Sequence, residues 1–71
     1  MDITYDKAAD ALYIAFGRNR IVSNRKLDDF TILDLAENGK LLGIELLDVS
    51  KRVPANSLSR INGKSLLVAA K

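Results

Sequence analysis

Phe30 to Val49 reads FTILDLAENGKLLGIELLDV, two alternating apolar runs on either side of an Asn-Gly pair. Alternation with a period of two marks a strand with one buried face. Asn38-Gly39 is the preferred pair for a two-residue type I′ hairpin turn, in which both central residues need positive φ. Taken literally, that turn pairs Glu37 with Lys40, Leu35 with Leu42, Leu33 with Ile44 and Thr31 with Leu46 on one face. On the other face it pairs Ala36 with Leu41, Asp34 with Gly43, Ile32 with Glu45 and Phe30 with Leu47. The first face is almost wholly apolar, so Leu33, Leu35, Leu42, Ile44 and Leu46 are the expected core. The second face mixes charges with sizeable apolar groups. A slip of one residue would exchange the two faces, so the pattern specifies the register.

Upstream, Ile3 and Tyr5 alternate with Asp2, Thr4 and Asp6, which predicts a first strand. A second follows in ALYIAF, where Leu12, Ile14 and Phe16 oppose Ala11, Tyr13 and Ala15. Between them Asp6 can cap a single helical turn over Lys7 to Asp10, a corner that returns the chain to the sheet without a tight glycine turn. GRNR after Phe16 reads as a turn and IVSNRKL as a third strand. Arg25 and Lys26 place that strand at an edge, where charge discourages further pairing. Downstream, Asp48 or Ser50 can start a short helix in DVSKRVP, and Pro54 disfavours helical geometry at Val53. The tail ANSLSRINGKSLLVAAK has two readings, an amphipathic helix using Leu58 and Ile61 or a second hairpin at Asn62-Gly63. A final strand at 65–69 is expected.

The expectation is therefore an α+β fold. It consists of a small, mainly antiparallel sheet of four to five strands, a one-turn helical corner after strand one and a short helix after the Asn-Gly hairpin. The 71 residues form a single domain, with a core β unit at 1–53 and a C-terminal extension at 54–71 packed on it.

A chain this short buries only about 60% of the surface it exposes when unfolded, so disulfides, metal or association usually supplement its core. Cysteine and histidine are both absent, which removes disulfides and the usual zinc ligands and leaves association. Apolar residues at 48% suit a second adhesive face. No run approaches the roughly 20 apolar residues of a membrane span, and MDITYDK lacks a basic segment followed by an apolar one. No membrane partner and a cytoplasmic location are expected. The net charge of +2 is banded: −2 over 1–16, +4 over 17–26, −4 over 27–47 and +4 over 48–71. A sheet with solvated turns accounts for such banding, and complementary self-association would use it.

Catalysis would have to come from carboxylates, lysines, serines or tyrosines. Asp28, Asp29 and Asp34 could hold a hard cation through oxygen ligands, although ordinary loop chemistry explains the first two. Asp6 and Asp10, at i and i+4, equally serve capping. Ser50-Lys51 and Lys64-Ser65 lack the frame that activates a nucleophile. The glycines at 17, 39, 43 and 63 are too dispersed for a phosphate cradle. Arg18, Arg20, Arg25 and Lys26, with Lys51, Arg52 and Arg60, could contact phosphates. Tyr5, Tyr13, Phe16 and Phe30 are explained by sheet packing, so no base-stacking platform is indicated. No enzyme activity and no cofactor are expected, and nucleic acid is expected only within some larger complex.

YDKAADALYI, a Leu-Asp-Asp step into an alternating strand and ENGKLLGIELLDVSKR together carry a resemblance. Over residues 3 to 52 the chain resembles the bacterial and archaeal family called domain of unknown function 2283. That family's pattern runs Y-D-x-x-A-D-A-L-Y-I and then N/D-G-x-[IVL]-[IVL]-G-I-E-[IL]-L-D-A-S. The matching positions are Tyr5, Asp6, Ala9, Asp10, Ala11, Leu12 and Tyr13, then Leu27 and Asp28, then Gly39, Gly43, Ile44, Glu45, Leu47, Asp48 and Ser50. Val49 departs from the family's alanine, and the tail from Pro54 onward lies outside the match. The resemblance implies a small, mainly antiparallel β domain with no established activity. Some members resemble the antitoxin half of toxin–antitoxin pairs.

The functional expectation is a non-enzymatic interaction module that forms a homodimer through the mixed face. The resemblance adds an antitoxin-like role toward a small toxin-type protein. Phe30, Ile32 and Leu47 are the expected apolar contacts, with Arg18, Arg20 and Arg25 meeting the carboxylates at their rim. Asp10 and Glu45 join them as motif residues without an evident packing role. Two rival readings are a metal-assisted hydrolase using Asp28, Asp29 and Asp34, and a weak nucleic-acid-binding regulatory protein.

Overall fold

In the computed structural model, which describes residues 1–54, 56–60 and 66–69, the alternating runs form one sheet. Five strands pair antiparallel: β1 (Asp2–Asp6), β2 (Ala11–Ala15), β3 (Ser23–Asp28), β4 (Thr31–Leu35) and β5 (Leu41–Leu46). A sixth, β6 (Leu66–Ala69), joins β1 in parallel, so the strand order is β3-β4-β5-β2-β1-β6. The expected final strand is present, and β3 lies at an edge as its charges predict. The position of the Asn62-Gly63 turn lies outside the described residues.

The expectation of an α+β fold gives way to a small antiparallel sheet with almost no helix. The corner at Lys7 to Asp10 is a turn and not the expected helical one. Asp6 Oδ1 accepts a hydrogen bond from the Ala9 N–H at 3.2 Å, as a cap would. Asp10, however, takes a left-handed backbone with φ 53°, and a right-handed helix cannot continue through it. After β5 the expected short helix is a three-residue 3₁₀ turn, Val49–Lys51. Asp48 precedes it at φ 50°, its side chain making no capping bond. The four residues Ser57–Arg60, α1, are the remaining helical stretch among those described.

The Asn-Gly turn differs from its literal reading. Ala36 C=O accepts the Gly39 N–H and Ala36 N–H donates to Lys40 C=O, both at 2.9 Å. The loop thus has three residues, Glu37 to Gly39. Of these only Gly39 is left-handed, at φ 84°, whereas the two-residue turn would impose positive φ on Asn38 as well. The Asn38 side chain instead accepts the Lys40 N–H at 3.1 Å. The longer loop shifts the pairing beside it, so Leu35 faces Leu41. A bulge between Asp34 and Leu35 then restores the expected register of Asp34–Gly43, Leu33–Ile44, Ile32–Glu45 and Thr31–Leu46.

Residues directly opposite one another share a face, so the pairings sort the sheet into transverse rows. Tyr5, Leu12, Leu46 and Thr31 form one row, and Ile3, Ile14, Ile44, Leu33 and Arg25 form the next; both lie on the apolar face. The opposite face carries Thr4, Tyr13, Glu45, Ile32 and Lys26 in one row. Asp2, Ala15, Gly43, Asp34 and Asn24 form its neighbour. Buried apolar side chains are few: Leu12, Ala36, Leu42 and Val49. Of the five expected core residues only Leu42 is buried, and Leu33, Leu35, Ile44 and Leu46 remain half-buried. One sheet layer lacks the material to close over them, and the buried residues lie toward its two ends, Leu12, Thr31 and Val49 at one and Ala36 and Leu42 beside the Asn-Gly loop at the other. No helix among the described residues is long and apolar enough to cross a membrane.

Candidate interaction surface

Three side-chain constellations stand out, and the first encloses Asp10. Its carboxylate accepts the Ser50 hydroxyl at 2.7 Å, the Ser50 N–H at 3.1 Å and the Tyr5 hydroxyl at 3.2 Å. Its backbone carbonyl accepts the Val49 N–H at 3.0 Å. Asp10 therefore latches the β1–β2 corner to the 3₁₀ turn that follows β5. The Ser50 hydroxyl, followed by the Ser50 N–H, Tyr5 and the charge of Lys51, holds this carboxyl below its ordinary pKa against a smaller opposing effect of burial. Burial and the same carboxylate raise the Tyr5 phenol. Asp10, singled out as a contact residue, is thus engaged within the chain, as is Ser50.

The second constellation is on the mixed face. Tyr13 donates to Asp34 Oδ2 at 2.6 Å, and the Asn24 amide donates to Asp34 Oδ1. Tyr13 reaches Asp34 by lying across Gly43 on the intervening strand. A Cβ at Gly43 would stand 2.5 Å from Tyr13 Cζ and closer still to its hydroxyl, so this strand position requires glycine. Burial first, and then the hydrogen bond and charge of Asp34 and the charge of Glu45, push the Tyr13 phenol up to about 12.

The third holds the β3–β4 turn. Asp28 accepts the Phe30 N–H at 2.8 Å, and that bond, with Thr31 and the charge of Arg52, keeps the carboxyl below its ordinary pKa, burial opposing. Arg52 donates to Phe30 C=O at 2.6 Å and to Thr31 Oγ1 at 2.8 Å, tying the segment after the Val49 turn to the start of β4.

Asp28, Asp29 and Asp34 consequently serve different partners: Asp28 the turn backbone, Asp29 the exposed Lys26 ammonium at 3.7 Å, and Asp34 the Tyr13–Asn24 pair. Among the described residues no three acidic, histidine or cysteine side chains gather as metal ligands. The basic band is divided as well. Arg25 stands opposite Leu33 on the apolar face, and Lys26 stands opposite Ile32 on the mixed face, as alternation requires. Arg18 pairs with Asp2 at 3.5 Å, its side chain 91% exposed. Arg20 lines an open hollow with Val22 and Ala36, away from the mixed face's centre.

Phe30, Ile32, Leu47 and Glu45, by contrast, do come together. Leu47 N–H donates to Phe30 C=O at 2.9 Å, and Ile32 lies opposite Glu45. Phe30 is 46% exposed, and the other three are half-buried. Sequence reasoning missed Tyr13, Asn24 and Arg52 as partners. One usable signal existed: a glycine inside a strand opposite a carboxylate marks a close approach by another group.

Fold and surface together define a small single-sheet protein with a partly open mixed face. Residues 2–50 match the family described as protein of unknown function (DUF2283), and the chain belongs to that family. No curated protein and no solved structure matches it.

Proposed function

We propose that this protein is a non-enzymatic interaction module that self-associates as a homodimer through the mixed face of its sheet. The observation that carries the reading is the cluster of Phe30, Ile32 and Leu47 beside Glu45 at an open end of that face. A toxin-type protein partner would use the same apolar patch, so the antitoxin-like role stands as an extension of this reading. Sedimentation equilibrium across a wide concentration range tests it. A dimer that Ile32→Glu converts to a monomer is the expected result, and a wild-type chain that stays monomeric throughout overturns the proposal.

A further inference from the structure

On the mixed face, the row Lys26–Ile32–Glu45 crosses β3, β4 and β5 in register. Adjacent strands lie about 4.8 Å apart, so one base and one acid flank Ile32 at similar distances. The Lys26 side chain is 64% exposed, and its only ion pair among the described residues is the surface contact with Asp29. Such a row, basic at one end, apolar at its centre and acidic at the other, is complementary to its own image under a two-fold rotation.

Resting on the self-association proposed above, we infer that the dimer's two-fold axis passes over Ile32, close to the direction of β4. Ile32 then meets its own copy. Lys26 of each chain faces Glu45 of the other, giving two equivalent ion pairs around an apolar centre. Face-to-face sheets pack about 10 Å apart, a gap that opposed lysine and glutamate side chains can span. An isologous contact of this kind closes at two subunits. Asp34, the next residue of β4 on this face, falls near the same axis opposite its copy, but its two carboxylate oxygens are engaged within each sheet by Tyr13 and Asn24.

Charge reversal tests the axis. Each of K26E and E45K alone places like charges face to face twice, and such juxtaposition costs several kcal/mol, so the dimer dissociation constant should rise on the order of 100-fold or more. Mixing the two variants in equal amounts should restore a dimer, because one chain then presents two acids in the row and the other two bases. Sedimentation equilibrium on wild type, each variant and the mixture reads the outcome. Circular dichroism of each variant confirms folding, and rescue by mixing excludes misfolding as the cause of weakening. A wild-type dimer indifferent to both substitutions, or weakened variants that the mixture does not rescue, overturns this axis while leaving self-association standing. A monomeric wild type overturns both.

Discussion

The apolar face carries Leu12, Ile14, Ile44 and Leu46 and is closed at one end by the Val49 turn, which Asp10 and Arg52 tie down. The mixed face finishes itself differently: a tyrosine, an aspartate and an asparagine from three strands satisfy one another across a glycine. One face depends on removing hydrocarbon from water, a non-directional effect that tolerates small shifts of the chain. The other depends on side-chain geometry, which fails when one group moves. The difference teaches that the two sides of one sheet can be held by different means, one by burying hydrocarbon and the other by side chains that satisfy one another's polar groups.

Leu12→Ala should break this comparison most severely. Leu12 is 5% exposed, and truncating such a leucine costs about 2–5 kcal/mol. Urea denaturation reads the loss, and an unchanged midpoint would mean that stability resides elsewhere.

Gly43→Ala probes the opposite face. Its methyl group must displace the Tyr13 ring from Asp34, at a cost of about 1.5–3 kcal/mol for a hydrogen bond to a charged acceptor. The same contact has a signature at high pH. Because the folded Tyr13 pKa is raised to about 12, its stabilising effect is complete below the ordinary tyrosine value of about 10 and is lost as pH rises through the folded value. Stability should fall between those limits in wild type and fall less in Tyr13→Phe. Equal alkaline slopes in the two proteins would show that the phenol contributes nothing.

Asp10→Asn should give the smallest effect and sharpens the account of the latch. Asparagine tolerates the left-handed backbone, so the substitution mainly removes charge. The Asp10 carboxyl is held below its ordinary pKa. Its contribution is therefore present above about pH 4 and lost as pH falls through the folded value. The variant's unfolding midpoint should be lower at neutral pH and decline less steeply in acid. Asp28, shifted in the same direction, keeps some acid sensitivity in both proteins. Parallel acid profiles would remove Asp10 from the account.

The body of the β4–β5 register was legible because alternation and the apolar count leave one arrangement that buries a face. The turn type was not. A three-residue loop with a left-handed glycine and the two-residue turn both accept Asn-Gly, and the Asn38 backbone, the Ala36–Lys40 pairing and the compensating bulge at Leu35 tell them apart. At the candidate site, the grouping of Phe30, Ile32, Leu47 and Glu45 followed from the register alone. The partners of Asp10 did not, since Ser50 lies forty positions away and no local pattern links the two. Tyr13 and Asp34 meet only when β2 docks against β5, and Arg25 falls on the apolar face because β3 pairs in that particular phase with β4.

The separation of Asp10 from Ser50 bears on how the chain folds and opens. The turns of β1–β2 and of β3–β4–β5 can zip from local contacts, but pairing β2 with β5 must first close the long intervening loop, the slow part of forming such a sheet. The latch joins the two ends of that loop, so it is completed as the loop closes. Weakening it is expected to accelerate unfolding more than it slows folding, a split that chevron kinetics of Asp10→Asn would read. On that expectation the Asp10–Ser50 contact sets how long the folded chain lasts more than how readily it is reached.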